Sequence, residues 1–157
     1  GLHIAQQDSS PMILFVGQIE RGMRGRDAFQ EVDYTQLFGG MCKWVAEIDD
    51  CARIPEMVAR AYATAMQGRP GPVVLALPED MQTEMAPASK AGRYQRVAAN
   101  PGEFDMHRLR DLLGKAKKPL MMVGGGGWNK QASEDILAFA RAFNLPVIEV
   151  IRPRAAA

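Results

Sequence analysis

Two cysteines, two histidines and a net charge of +1 are a sparse supply of reactive or sticky groups for a chain of 157 residues. Cys42 and Cys51 form no CxxC pair and are too few for a disulfide framework. They read as small apolar core groups, and a reducing, cytoplasmic setting is the expectation. His3 and His107 fall in separate predicted helices with no Cys or His at ligand spacing, which argues against a metal site in this chain. The near-zero net charge gives no electrostatic footprint for nucleic acid or an anionic membrane. Aromatic residues make up 7% of the chain and none interleaves with basic ones. No apolar run approaches the roughly 20 residues of a membrane span. The opening GLHIAQQ lacks the basic region and long apolar core of a signal peptide.

What is present describes a globular protein. Hydrophobic residues supply 47% and charged residues 24%, enough to bury a real core. The chain opens on Gly1, with Leu2, Ile4 and Ala5 reading as the tail of a helix, and closes on AAA after Arg154. A piece of a longer polypeptide is the expectation.

Pro11 ends the first helical stretch, and MILFV (12–16) follows as a continuous apolar run of the kind a strand buried on both faces carries. Residues 18–28 read as loop. Asp33 is placed to cap a short helix through Phe38, which Gly39 and Gly40 end. Lys43–Ile48 alternates weakly, as a short strand does. Pro55 opens a helix whose Met57, Val58, Ala61, Tyr62 and Ala65 make one apolar stripe, with Gly68 and Pro70 beyond its end. VVLAL (73–77) is a second buried strand, stopped by Pro78.

Residues 84–103 are polar, weakly periodic and punctuated by Pro87, Gly92, Pro101 and Gly102. A loop of this length is unusual inside a compact domain, so the stretch reads as an interdomain linker. After it, Asp105 is expected to cap a helix carrying Leu109, Leu112, Leu113 and Ala116, with Lys115, Lys117 and Lys118 at its negative end. Then come a strand over 120–123, the run GGGG, a helix with Ala132, Ile136, Leu137, Ala140 and Phe143 on one face, and a strand over 146–150. Strand, helix and strand at these spacings predict an α/β fold with parallel sheets.

Two motifs bear on function. GGGGWNK stands between a strand and a helix, the right place for phosphate binding, but its glycines fit neither GxGxxG nor a Walker loop. A plain turn of close-approaching backbones explains it as well. GRPGPVVLALPED (68–80) is a rigid turn, a buried strand and an acidic exit. Residues just past the carboxyl end of a parallel strand commonly line the ligand crevice, although a plain strand exit gives the same pattern.

Taken in order, SPMILFVGQ, GRDAFQEVD, Lys43 and RIPEMVARAYATAMQGRPGPVVLALPED resemble thiamine-diphosphate-dependent enzymes of the acetolactate synthase type. KAKKPLMMVGGGG and FNLPVIEV resemble the start of the same family's central domain. The resemblance implies doubly wound, three-layer α/β domains, both incomplete here. Residues 1–86 would be the C-terminal part of the pyrimidine-binding domain, 87–102 a linker, and 103–157 the N-terminal part of the central Rossmann-like domain.

The same resemblance implies thiamine diphosphate and Mg2+ as cofactors, and small 2-oxo acids or aldehydes as substrates. Gln30 would lie at the aminopyrimidine end of the cofactor, and Phe29 would wall the pocket where the 2-oxo acid reacts. Gly17 and Gln18 match the strand exit beside them and are further candidates for cofactor contact. Glu31 and Asp33 read as loop structure and helix start. Active sites of this family form between subunits, so a homodimer or homotetramer is implied. Flavin adenine dinucleotide or another nucleotide occupies the central domain in some relatives.

Three departures accompany the match. The family's catalytic glutamate belongs upstream of Gly1, and its GDG metal motif belongs to a further domain, so this chain alone is expected to be inactive. Glu79 stands where acetolactate synthases carry lysine, which admits a different carboligase, a benzaldehyde-lyase-like enzyme or a decarboxylase. The rival reading is a non-catalytic α/β module that binds a nucleotide or coenzyme A, or serves assembly.

Overall fold

The computed structural model describes residues 1–88, 92–95, 97, 99–125 and 128–150. They fall into two compact units, Gly1–Val97 and Ala98–Ala157.

The first unit is built on a parallel sheet of three strands. Helix α1 (Leu2–Asp8) ends at Ser9 in the left-handed conformation and is followed by strand β1 (Met12–Gln18). A short helix α2 (Tyr34–Phe38) leads to strand β2 (Trp44–Glu47). Helix α3 (Ile54–Met66), with Pro55 in its first turn, leads to strand β3 (Pro72–Pro78). The strand order is β1-β3-β2, with both pairs parallel. The last strand in sequence is therefore central, and all three carboxyl ends lie at one edge of the sheet.

The positions of β3 explain its burial. Val73 and Leu75 face Met57, Ala61 and Ala65 of α3, in a core that also takes in Ile48 and Met81. Alternation along a strand sends Val74 and Ala76 to the opposite face, and both are buried as well. A continuous apolar run is what such a doubly covered strand requires. The MILFV run predicts equal burial for β1, but this strand lies at the edge of the sheet and Phe15 remains 49% exposed. The expected stripe on α3 holds at Met57, Ala61 and Ala65, while Tyr62 turns outward. The helix ends at Met66, and Gly68 takes a left-handed φ of 57° just beyond it. The Arg69 guanidinium reaches back to the carbonyls of Gln6 and Gln7 and the hydroxyl of Ser9, fastening the end of α1.

In the second unit, helix α4 (Glu103–Lys115) precedes strand β4 (Met121–Val123), and helix α5 (Lys130–Ala142) joins it to the parallel strand β5 (Val147–Glu149). Gly102, and not Asp105, occupies the N-cap of α4. Asp105 sits in the first turn instead, where its charge complements the helix dipole. Asn129 caps α5, its side-chain oxygen accepting from the Ala132 amide at 2.7 Å. Gly125 has a φ of 80°, and the Trp128 indole donates to the Gly124 carbonyl at 3.3 Å, so this end of the glycine run folds back as a turn. The other two glycines of the run lie outside the described residues. No helix among the described residues is long and apolar enough to cross a membrane.

Candidate functional site

In an open parallel sheet, ligands collect where the loops leave the carboxyl ends of the strands. Here those ends are Gln18, Glu47 and Pro78. The connection after β1 is tightly organised. A single 3₁₀ turn, Arg21–Met23, opens it. Beyond that turn, Gly25, Asp27 and Gln30 have φ values of 73°, 52° and 68°. Left-handed backbone is unfavourable for Asp and Gln and persists only where the surroundings impose it.

Glu31 supplies that constraint. Its carboxylate accepts from the Gly25 amide at 2.6 Å and the Ala28 amide at 3.2 Å, folding the loop back on itself. The same backbone donors, Gly25 foremost, hold its carboxyl below the usual carboxylate range. Asp33 then caps α2, accepting from the Gln36 amide at 2.9 Å. Both acids therefore serve structure, as expected from the sequence. The clamped loop presents Phe29 with 90% of its surface exposed. Gln30 follows with its backbone in the left-handed region and its side-chain amide free of partners among the described residues.

Phe29 and Glu79, 50 residues apart in sequence, share one open cleft of about 490 Å³. The connection after β1 contributes Ile19, Glu20, Met23 and Ala28 to it, and the chain after β3 contributes Asp80 and Thr83. Gln18 faces a second, smaller cleft with Arg24, Tyr34 and Glu47. Its amide is committed within the chain, donating to the Val32 carbonyl at 2.8 Å and accepting from the Ile19 amide at 3.0 Å. Gly17 lines neither cleft; its carbonyl accepts from the Tyr34 hydroxyl at 2.9 Å. The structure thus brings Phe29 and Glu79 together, while Gln30, next to Phe29 in the chain, lines neither cleft. Gln18 and Gly17 brace the neighbouring strand exit.

Sequence reasoning picks out Asp80 only as part of the acidic strand exit and misses Arg21 and the pairing of the two. The Arg21 side chain donates from Nε to Asp80 Oδ2 at 2.7 Å, and its backbone amide donates to Oδ1 of the same carboxylate at 3.0 Å. Hydrogen bonds to Asp80 and then Glu84 raise the guanidinium's pKa above its ordinary value. The bond from Arg21 holds the Asp80 carboxyl below its own. The only signal in the sequence is that each residue closely follows the end of a strand. Their pairing requires knowing that β1 and β3 are neighbours. Arg24 is committed too, in an ion pair with Glu47. Among the described residues, no group of three His, Cys, Asp or Glu side chains is placed to hold a metal ion.

Comparison with known proteins bears on what binds here. Residues 106–156 match the family model described as thiamine pyrophosphate enzyme, central domain. The chain is 32% identical over 157 residues to acetolactate synthase 1, chloroplastic, of Nicotiana tabacum, covering 96% of this chain and 23% of that protein. It is 34% identical over 152 residues to the acetolactate synthase large subunit of Corynebacterium glutamicum, covering 94% and 24%. The benzoylformate decarboxylase structure from Polynucleobacter necessarius superposes with a TM-score of 0.85 at 29% identity, over 95% of this chain and 28% of that one. Over nearly its whole length the chain is similar to thiamine-diphosphate-dependent enzymes of the acetolactate synthase type. The family matched by residues 106–156 implies thiamine diphosphate as its cofactor. The parallel sheets with flanking helices agree with a second family structure, the thiamine-diphosphate-dependent 4-hydroxybenzoylformate decarboxylase of Rhodococcus jostii RHA1, at a TM-score of 0.83 and 25% identity. The chain spans about a quarter of the length of these relatives.

Proposed function

We propose that the protein carrying this chain is a thiamine-diphosphate-dependent carboligase or decarboxylase acting on 2-oxo acids. The observation that carries the reading is the clamped loop at the strand carboxyl ends, which holds Phe29 exposed and Gln30 strained beside it. Such groups fit a heteroaromatic cofactor ring: an amide with free donors and acceptor, next to an aromatic face. When bound, thiamine diphosphate supplies the electron sink for loss of carbon dioxide from a 2-oxo acid.

This chain's own part is binding and shaping. Gln30 would hydrogen-bond the aminopyrimidine end. Phe29 would cover the reacting carbonyl and keep water from it. Gly17 and Gln18 would support that end of the site through the backbone they brace. We place Mg2+ and the diphosphate on residues other than those described here. Phe29 leaves most of its surface uncovered by these 157 residues, which fits a homodimer or homotetramer in which another subunit completes the site. Flavin adenine dinucleotide in the central domain is the remaining cofactor proposal, carried by the position of the glycine run alone.

The test is an assay of carbon dioxide release by the full-length protein with pyruvate and with benzoylformate, with and without thiamine diphosphate and Mg2+. Release that requires thiamine diphosphate is expected. Cofactor binding without turnover of either acid, and without carbon–carbon coupling, would leave the non-catalytic module as the better description.

Glu79 sets the charge of the cleft. Among the described residues no Lys or Arg lines this cleft, whereas Glu20 and Glu79 both do and are exposed. Glu79→Lys is expected to shift acceptor preference several-fold from an aldehyde toward a 2-oxo acid, since a nearby opposite charge is worth about 1 kcal/mol in water. Product ratios from a mixed pyruvate and benzaldehyde incubation measure the shift. An unchanged ratio would reduce Glu79 to a plain strand exit.

A further inference from the structure

Arg21 makes four polar contacts that between them reach the chain following each of the other two strands. Its backbone amide and Nε grip both oxygens of Asp80, two residues past β3. Nη1 donates to the Asp49 carbonyl, two residues past β2, at 2.6 Å. Nη2 pairs with Glu84. Arg21 itself stands three residues past β1. A single guanidinium therefore joins the exits of all three strands, across sequence separations of 28, 59 and 63 residues.

The exits of β1 and β3 are also the walls of the cleft. Glu20 and Met23 flank Arg21 and line it; Asp80 lines it and follows Glu79. The Phe29 loop hangs from the same connection. Arg21 belongs to no part of the buried core, and its side chain is about one-third exposed. Ion pairs at that exposure add little to stability, so this arrangement has more bearing on where the walls stand than on whether the sheet folds.

We propose that Arg21 is a positioning residue for substrate: by tying the three strand exits together it fixes the spacing of the walls between which Phe29 and Glu79 face the reacting molecule. The inference rests on the reading of this cleft as the substrate pocket. Lysine cannot replace Arg21, because a point charge lacks the planar fork that serves several acceptors at once.

The experiment uses the full-length protein saturated with thiamine diphosphate. For Arg21→Lys, KM for the 2-oxo acid is expected to rise roughly 10- to 100-fold, the scale of a misplacement near 1 Å. Thiamine diphosphate affinity by titration calorimetry and the thermal midpoint are expected to stay close to wild type. Asp80→Asn should show the same pattern, and the double variant should be little worse than either single one, as members of one unit behave. Should either variant fail to accumulate, Glu84→Gln releases only Nη2 and should move KM in the same direction. Wild-type KM in these variants would overturn the inference while leaving the function standing. A parallel loss of cofactor affinity and melting temperature would overturn it too, making Arg21 a general brace. A wild-type protein that turns over no 2-oxo acid would overturn the function and the inference together.

Discussion

Leu75→Ala is expected to cost the protein about 2–5 kcal/mol, the range for truncating a large aliphatic side chain in a closed core. Leu75 is fully buried on the central strand, aligned with Phe15 on one neighbour and Ala46 on the other, and covered by α3. The site has little room to collapse, because its neighbours Val73 and Met81 are themselves completely enclosed. Urea unfolding followed by tryptophan fluorescence measures the loss. Trp44 reports on this unit, since it lies beside the core with Arg60 stacked 4.4 Å from its ring centre. A Trp128→Phe background removes the other tryptophan of these 157 residues. Phe15→Ala is the internal control: half-exposed on the edge strand, it should cost clearly less. If Leu75→Ala lost under about 1 kcal/mol, or if Phe15→Ala cost as much, the central position of β3 would be wrong.

That contrast also marks how far the sequence can be read. VVLAL and MILFV look alike as strings, and both suggest a doubly covered strand. Only the pairing order tells them apart, and pairing order depends on contacts between segments some 60 residues apart. Local features are legible because their causes are local. Asp33 caps a helix through its own side chain, Pro55 starts one, and Gly68 takes the left-handed φ that follows its end. Asp105 misleads because an acid suits a helix's first turn as well as its cap, while Gly102 at the cap carries no side-chain signal. Helix α4 carries Leu109, Leu112 and Leu113 at helical spacing, yet Leu109 and Leu112 are exposed. Amphipathic periodicity says that a face wants cover, not what covers it.

The site divides in the same way. FQE and GRPGP are contiguous strings, so the resemblance picks out Phe29 and Gln30 directly. Arg21, Asp80, Asp49 and Glu84 come from three separate connections, and apart from Asp80 at the end of the acidic strand exit none forms a motif with its neighbours. Glu31 is the instructive case between the two. It stands beside the site and reads from the sequence as loop structure, and its hydrogen bonds to Gly25 and Ala28 show that it builds the loop that presents the site.

The loop leads to the sharpest functional test, a separation of Gln30 from Phe29. Gln30→Ala in the full-length protein is expected to weaken thiamine diphosphate binding roughly tenfold, the scale of one or two lost hydrogen bonds. Gln30→Gly is the necessary companion, because Gln30 sits at a φ of 68°. Glycine relaxes that backbone while removing the same amide. If both variants lose affinity alike, the amide is responsible; if only alanine does, the backbone is. Phe29→Ala should leave cofactor affinity near wild type and instead raise KM for the 2-oxo acid or alter the product mixture. Its ring is 90% exposed within the chain, so truncation should disturb the fold of this unit by no more than about 0.5 kcal/mol. A kinetic change in that variant is then hard to assign to misfolding. Calorimetric titration of the cofactor and initial-rate kinetics on the same preparations give both readouts. Wild-type cofactor affinity and turnover in the Gln30 variants would remove that residue from the site. Wild-type KM and product distribution in Phe29→Ala would mean that the clamped loop serves some purpose other than walling the pocket.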